Sequence, residues 1–231
     1  YYAFMQSASF QISYKLNSAT ENKMGKDSKA PILSETNFKI VKKIWGDLRV
    51  SAKRMIQNNP LLKKTAKKVI LNSSDMAAGL SRALSRQNLD VYVSNSDLEA
   101  LFLSIYGRSP ELVVSAVADL IAVTQRDPAA TDALYVFLHF KGFHALQTYR
   151  AAHWLWNNGQ KDTAVFLQNR SSVLYAVDIH PAARIGHGIM LDHAHNIVIG
   201  ETAVVEDNVS MLHGTTLGGT GKERGDRHPK I

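Results

Sequence analysis

From Ile179 to Leu217 an aliphatic residue or methionine leads each of a series of hexads, IHPAAR, IGHGIM and LDHAHN, then, after a slip of two residues, IGETAV, VEDNVS, MLHGTT and LGGTGK. An α-helix repeats about every 3.6 residues and a strand every second residue, so neither turns one apolar side chain inward at each sixth position. A solenoid of short parallel strands does. Each hexad then forms one flat side, three hexads close a triangular coil of about eighteen residues, and every leader stacks on its counterpart one coil away. The leaders Ile179, Ile185, Leu191, Ile199, Val205, Met211 and Leu217 are therefore expected to fill the interior of a β-helix.

Upstream the period is helical. Ser96 and Glu99 read as a capping box ahead of Leu98, Leu101, Phe102 and Ile105. Ser109-Pro110-Glu111 reads as an N-cap, a proline at the first helical position and an acid in the first turn. Phe143, Leu146, Ala151, Trp154 and Leu155 share one helical phase that stops at Gly159, a residue suited to ending a helix. The expected fold class is α+β: a polar, disordered extension over 1–35, an all-α domain over 36–176, and an incomplete β-helix over 177–231.

Composition narrows the function. With 45% hydrophobic residues in 231, the chain has enough apolar material for an ordinary core. It has no cysteine, which removes disulfide scaffolds and thiolate metal sites. No apolar run approaches the roughly eighteen residues needed to span a bilayer and no signal-peptide pattern opens the chain, so a cytoplasmic protein without a membrane partner is expected. The net charge of +7 is concentrated between Thr36 and Ile70. There Lys63, Lys64, Lys67 and Lys68 share a helical face opposite Leu61, Leu62, Thr65, Ala66 and Val69, which reads as a solvated face rather than a nucleic-acid site. The chain begins with Tyr and stops at Ile231 within the repeat, and is read as cut at both ends.

The segments RDPAA (126–130), KGFHALQTYRAAHWLW (141–156), VDIHPAARIGHGIMLDHA (177–194), GETAVVEDNVS (200–210) and LGGTGKERGDRHPKI (217–231) together resemble bacterial-type serine acetyltransferases, over about Thr36 to Ile231. The resemblance implies a left-handed parallel β-helix and transfer of acetyl from acetyl-CoA to the L-serine hydroxyl, giving O-acetylserine for cysteine biosynthesis. It further implies trimers paired into hexamers and feedback inhibition by L-cysteine. Such enzymes continue for several coils beyond HPKI, adding much of the CoA groove and a tail that docks O-acetylserine sulfhydrylase. This chain is therefore expected to bind acetyl-CoA weakly, to lack that docking, and to lose its β-structure early on heating.

The chemistry can also be argued residue by residue. A serine hydroxyl needs a base to take its proton as it attacks a thioester, and imidazole, with an ordinary pKa of about 6.5, suits that role. His193 is the expected base and Asp178, fifteen positions earlier and so close to one coil away, its expected carboxylate partner; the family resemblance assigns the same pair. The substrate's ammonium and carboxylate call for acids and a fork-shaped cation. By the resemblance Asp127 and Asp192 hold the ammonium, Arg227 takes the carboxylate and His228 lies near the hydroxyl. Asp127, before Pro128, also reads as a helix N-cap. Gly219, Thr220 and Lys222 lie in a glycine-rich loop whose backbone can approach pantetheine or phosphate. His195-Asn196 stands where the family usually has Thr-Gly, and Asn preserves a left-handed turn. No metal is expected. The competing readings are a zinc hydratase like the γ-class carbonic anhydrases, built on His187, His193, His195 and His213, and a noncatalytic assembly subunit.

Overall fold

A computed structural model describes residues 34–222 and 224–231; of the extension expected over 1–35, residues 1–33 lie outside the described residues, whereas Ser34 and Glu35 already belong to the start of the first helix. Helix α1 (Glu35–Asn58) starts where Ser34 Oγ accepts the Asn37 N–H at 3.2 Å. A 3₁₀ turn at Pro60–Leu62, the short α2 (Lys63–Ala66) and a π turn at Lys67–Leu71 follow. The lysines of this stretch are exposed as expected and Ala66 and Val69 are buried, but Leu61 is 90% exposed because it lies on the 3₁₀ turn ahead of the helical phase.

Helices α3 (Met76–Gln87), α4 (Asn95–Arg108), α5 (Glu111–Arg126), α6 (Ala133–His139), α7 (Lys141–Asn157) and α8 (Lys161–Tyr175) complete the helical part. Two expected caps fall elsewhere. The hydroxyl that caps α4 is Ser94, which accepts from Asp97 N–H; Ser96 lies inside the first turn and Glu99 instead accepts from Arg82 Nε at 2.9 Å. Ser109 Oγ does not cap α5 but accepts from Trp154 Nε1 at 2.7 Å, joining α7 to the start of α5. The end of α7 is as expected, with Gly159 just beyond it at φ +79.

From Val177 the backbone becomes a left-handed parallel β-helix with strands β1 (Val177–Ile179), β2 (Arg184–Ile185), β3 (Met190–Leu191), β4 (Ile197–Ile199), β5 (Val204–Val205), β6 (Ser210–Met211) and β7 (Thr216–Leu217). They form three sides, β1-β4-β7, β2-β5 and β3-β6, all parallel. The register pairs Ile179 with Ile199, Ile185 with Val205, Leu191 with Met211 and Ile199 with Leu217, so hexad leaders stack on leaders. All seven are buried except Ile185, which is half-buried. The two-residue slip is absorbed in the corner 192–196 between β3 and β4, where His193, Ala194 and Asn196 take left-handed backbone at φ 53, 54 and 57. After Leu217 the chain leaves the coil in a loop and returns at the HPKI segment: Val204 N–H donates to Pro229 O at 3.1 Å and Glu206 N–H to Ile231 O at 2.8 Å, a third layer beside β5.

The helical part is interlocked with the coils. The buried Asp119 carboxylate on α5 accepts from Arg150 Nε at 2.8 Å and from Gln147 Nε2 at 2.9 Å on α7, and from the Ile189 N–H at 2.9 Å; Arg150 in turn donates to the Gly186 carbonyl at 2.7 Å. Tyr149 donates to the Ala183 carbonyl, and Arg126 reaches Gly188 O and Ser210 Oγ. At Gly142 the first turn of α7 presses on the end of β3 so closely that a Cβ there would stand 2.1 Å from Leu191 O. No described helix is long and apolar enough to cross a membrane.

Candidate active site

The expected site residues fall into two groups at two different corners. The first is the corner 192–196. A cavity of about 260 Å³ opens there, lined by Val123, Asp127, Lys141, Gly142, Asp192 and His193 among others. Asp127 is brought in by the end of α5: its Oδ1 accepts the Ala129 N–H at 2.8 Å, closing the turn that Pro128 begins, while the cap of α6 is Asp132, accepting from Leu134 N–H. The expected capping role of Asp127 is thus replaced by a turn-closing one. The left-handed backbone at His193 turns its imidazole outward, 76% exposed, with the Asp192 carboxylate 3.9 Å from Nε2. His213, one coil on, meets the same ring edge-on at 5.9 Å between centroids.

The second group lies along β1, the corner that follows it and the corner that follows β4. Asp178, in the middle of β1, points outward and accepts from Gln168 Nε2 of α8 at 2.7 Å. Beside it His180 is held below the ordinary imidazole range by burial, with Glu201 and Asp178 acting in the opposite direction and Arg227 and His228 also within electrostatic reach. Arg227 donates to Glu201 Oε2 at 3.1 Å, and His228 Nδ1 accepts the Thr202 N–H at 3.1 Å. Thr202 Oγ1 accepts both the Arg227 and the His228 backbone N–H. The imidazole of His228 lies on Gly200, where any Cβ would overlap it at 2.1 Å. Gly219 backs onto Arg227, and Thr220 and Lys222 stand exposed on the loop, with Lys222 N–H reaching Thr220 Oγ1 at 3.4 Å.

Within one chain, then, Asp127, Asp192 and His193 line one cavity, while Asp178, bound to Gln168, and Arg227 and His228, bound to Glu201 and Thr202, lie elsewhere, these three within electrostatic reach of His180. The base and the carboxylate expected to pair with it are not hydrogen-bonded: spacing near one coil places residues on the same side of the solenoid, but His193 projects from a corner and Asp178 from a flat side under α8. Lys141, Glu201 and Thr202 carry no chemical signature of their own in sequence. Their only signal is position, Lys141 at the head of the KGFHALQ helix and Glu201-Thr202 at a hexad corner. Of the histidines considered for zinc, His193 and His213 approach each other, yet no group of three or more metal-ligating side chains forms among the described residues.

Comparison with known proteins agrees with this architecture. The family profile described as "Serine acetyltransferase, N-terminal" matches residues 44–148. A serine acetyltransferase of Salmonella typhimurium is 45% identical over 188 residues, covering 81% of this chain and 69% of its own length. The chain belongs to the serine acetyltransferase family. Among solved structures, soybean serine acetyltransferase complexed with serine superposes with a TM-score of 0.81 at 43% identity, covering 83% of this chain and 79% of that one. The Brucella abortus serine acetyltransferase in complex with coenzyme A superposes equally well, TM-score 0.81 at 45% identity, over 84% of this chain and 77% of that one. The hexads, the KGFHALQ helix and the HPKI loop of this serine acetyltransferase family member therefore sit in an architecture common to plant and bacterial relatives.

Proposed function

We propose that this chain transfers acetyl from acetyl-CoA to the hydroxyl of L-serine, with His193 as general base. The observation that carries the reading is the meeting of Asp127, Asp192 and His193 at one cavity, two carboxylates suited to an ammonium beside an exposed imidazole. His193 takes the hydroxyl proton as the serine oxygen attacks the thioester carbonyl. Collapse of the tetrahedral intermediate expels the CoA thiolate, which receives that proton from the imidazolium, leaving O-acetylserine and CoA.

The remaining groups come from a second copy. A threefold assembly about the β-helix sets the His193 corner of one subunit against the Asp178–Arg227–His228 face of the next, supplying a carboxylate for the imidazole and a guanidinium fork for the substrate carboxylate. The Gly219–Lys222 loop borders the entry for CoA, its backbone N–H groups facing phosphate or pantetheine. L-cysteine carries the same ammonium and carboxylate as serine and competes for the same subsites, which makes the enzyme a feedback-controlled step of cysteine biosynthesis.

The test is CoA release from acetyl-CoA and L-serine, followed as free thiol. His193→Ala should lower turnover by about 10²–10⁴ while leaving serine binding nearly intact, because proton transfer acts in the transition state. Turnover within a few-fold of the parent would remove His193 from the mechanism.

A further inference from the structure

Lys141 brings an ammonium to the wall of the very cavity that gathers Asp127, Asp192 and His193. Two carboxylates intended for a substrate ammonium would attract any flexible lysine within reach, and a lysine stem with four rotatable bonds can swing. In this chain Lys141 Nζ is instead held by two acceptors, the Tyr175 carbonyl at the end of α8 and Nδ1 of His195, each at 3.2 Å. The carbonyl alone leaves the ammonium with spare donors; the imidazole nitrogen takes one more and fixes its direction. His195 belongs to the same 192–196 corner that carries His193, between the left-handed Ala194 and Asn196, and its Nδ1 faces Lys141 of α7.

We infer that His195 is a positioning residue for serine recognition: by holding Lys141 against the end of α8 it keeps a competing cation out of the subsite formed by Asp127 and Asp192. This deepens the acetyltransferase reading and rests on it. Removing the imidazole frees Lys141 to pair with those carboxylates, so the substrate ammonium must displace an internal one. Serine affinity then falls, while proton abstraction by His193 and the CoA subsite are untouched.

The experiment measures L-serine binding by titration calorimetry on the whole chain, alongside the KM and kcat of CoA release, with thermal unfolding to check folding. His195→Ala should weaken serine binding about tenfold or more, the size of one charge-assisted contact, with acetyl-CoA KM and kcat within about twofold. His195→Asn, whose carbonyl oxygen stands close to the position of Nδ1, should retain the parent affinity. Adding Lys141→Met to His195→Ala should restore it, because the competing cation is gone. Unchanged serine affinity in His195→Ala, or no recovery in the double variant, overturns the inference while leaving the acetyltransferase reading in place. A parent chain that binds no L-serine overturns that reading and the inference together.

Discussion

His144 is buried in α7 with its Nε2–H on the Phe137 carbonyl at 2.8 Å, and burial pushes its pKa down to about 4, with nearby His139 adding slightly to the shift. Above pH ~6.5 the ring is neutral whether the chain is folded or not. Below that the unfolded chain takes up a proton that the folded chain refuses until about pH 4, so the unfolded state binds more protons and stability falls as the pH drops through this window. The loss reaches at most about 3 kcal/mol. His144→Gln keeps an amide donor for the carbonyl without a titrating ring, so its melting temperature should decline less steeply between pH 6.5 and 4 than the parent's; identical slopes would assign the acid sensitivity elsewhere. At this scale the sequence identifies residue types but not their partners. Asp178 and His193 were chemically suited to one another at a spacing of fifteen residues, yet Gln168 of α8 claims the carboxylate and Asp192 stands nearest the imidazole.

Among elements, α7 and β3 position the site. The Asp192–Asn196 corner follows directly on Leu191, and Leu191 O is the atom against which Gly142 is packed. Gly142→Ala places a methyl 2.1 Å from that oxygen, so either α7 or the corner must shift. Overpacking of this kind costs about 1–3 kcal/mol. We expect a lower melting temperature together with a fall in turnover larger than the loss of folded protein accounts for, since the displaced backbone is the one that carries the base. Parent-like turnover and melting would show that the contact is slack. Element types were legible in sequence because hexads and helical phases are properties of consecutive residues. Cap assignments were less so: serines stand at 94 and 96 about the start of α4, and only the path of the backbone makes Ser94 the one whose hydroxyl meets Asp97 N–H.

For the whole molecule the decisive feature is the buried Asp119–Arg150 pair, which ties α5, α7 and the carbonyls and N–H groups of the coil into one network. Breaking a buried pair by removing one partner costs about 3–5 kcal/mol because the other charge is left uncompensated. Asp119→Ala should therefore lower the melting temperature strongly, and in the parent the signals of helix and strand should disappear in one transition rather than the strands first, as an unsupported solenoid end alone would suggest. Separate transitions in the parent, followed by circular dichroism, would show that the network does not couple the two parts. The sequence by itself determined the solenoid, its register and the chemical kinds of residue at its corners, because a six-residue period leaves one way to bury its leaders. Only the tertiary structure decided that the two-residue slip becomes a left-handed corner presenting His193, that Asp127 from a distant helix joins it there, and that Asp178 is taken by Gln168 of α8 while Arg227 and His228 settle on Glu201 and Thr202. Those arrangements depend on how helices packed from far along the chain meet the coils, and a local period carries no information about contacts of that range.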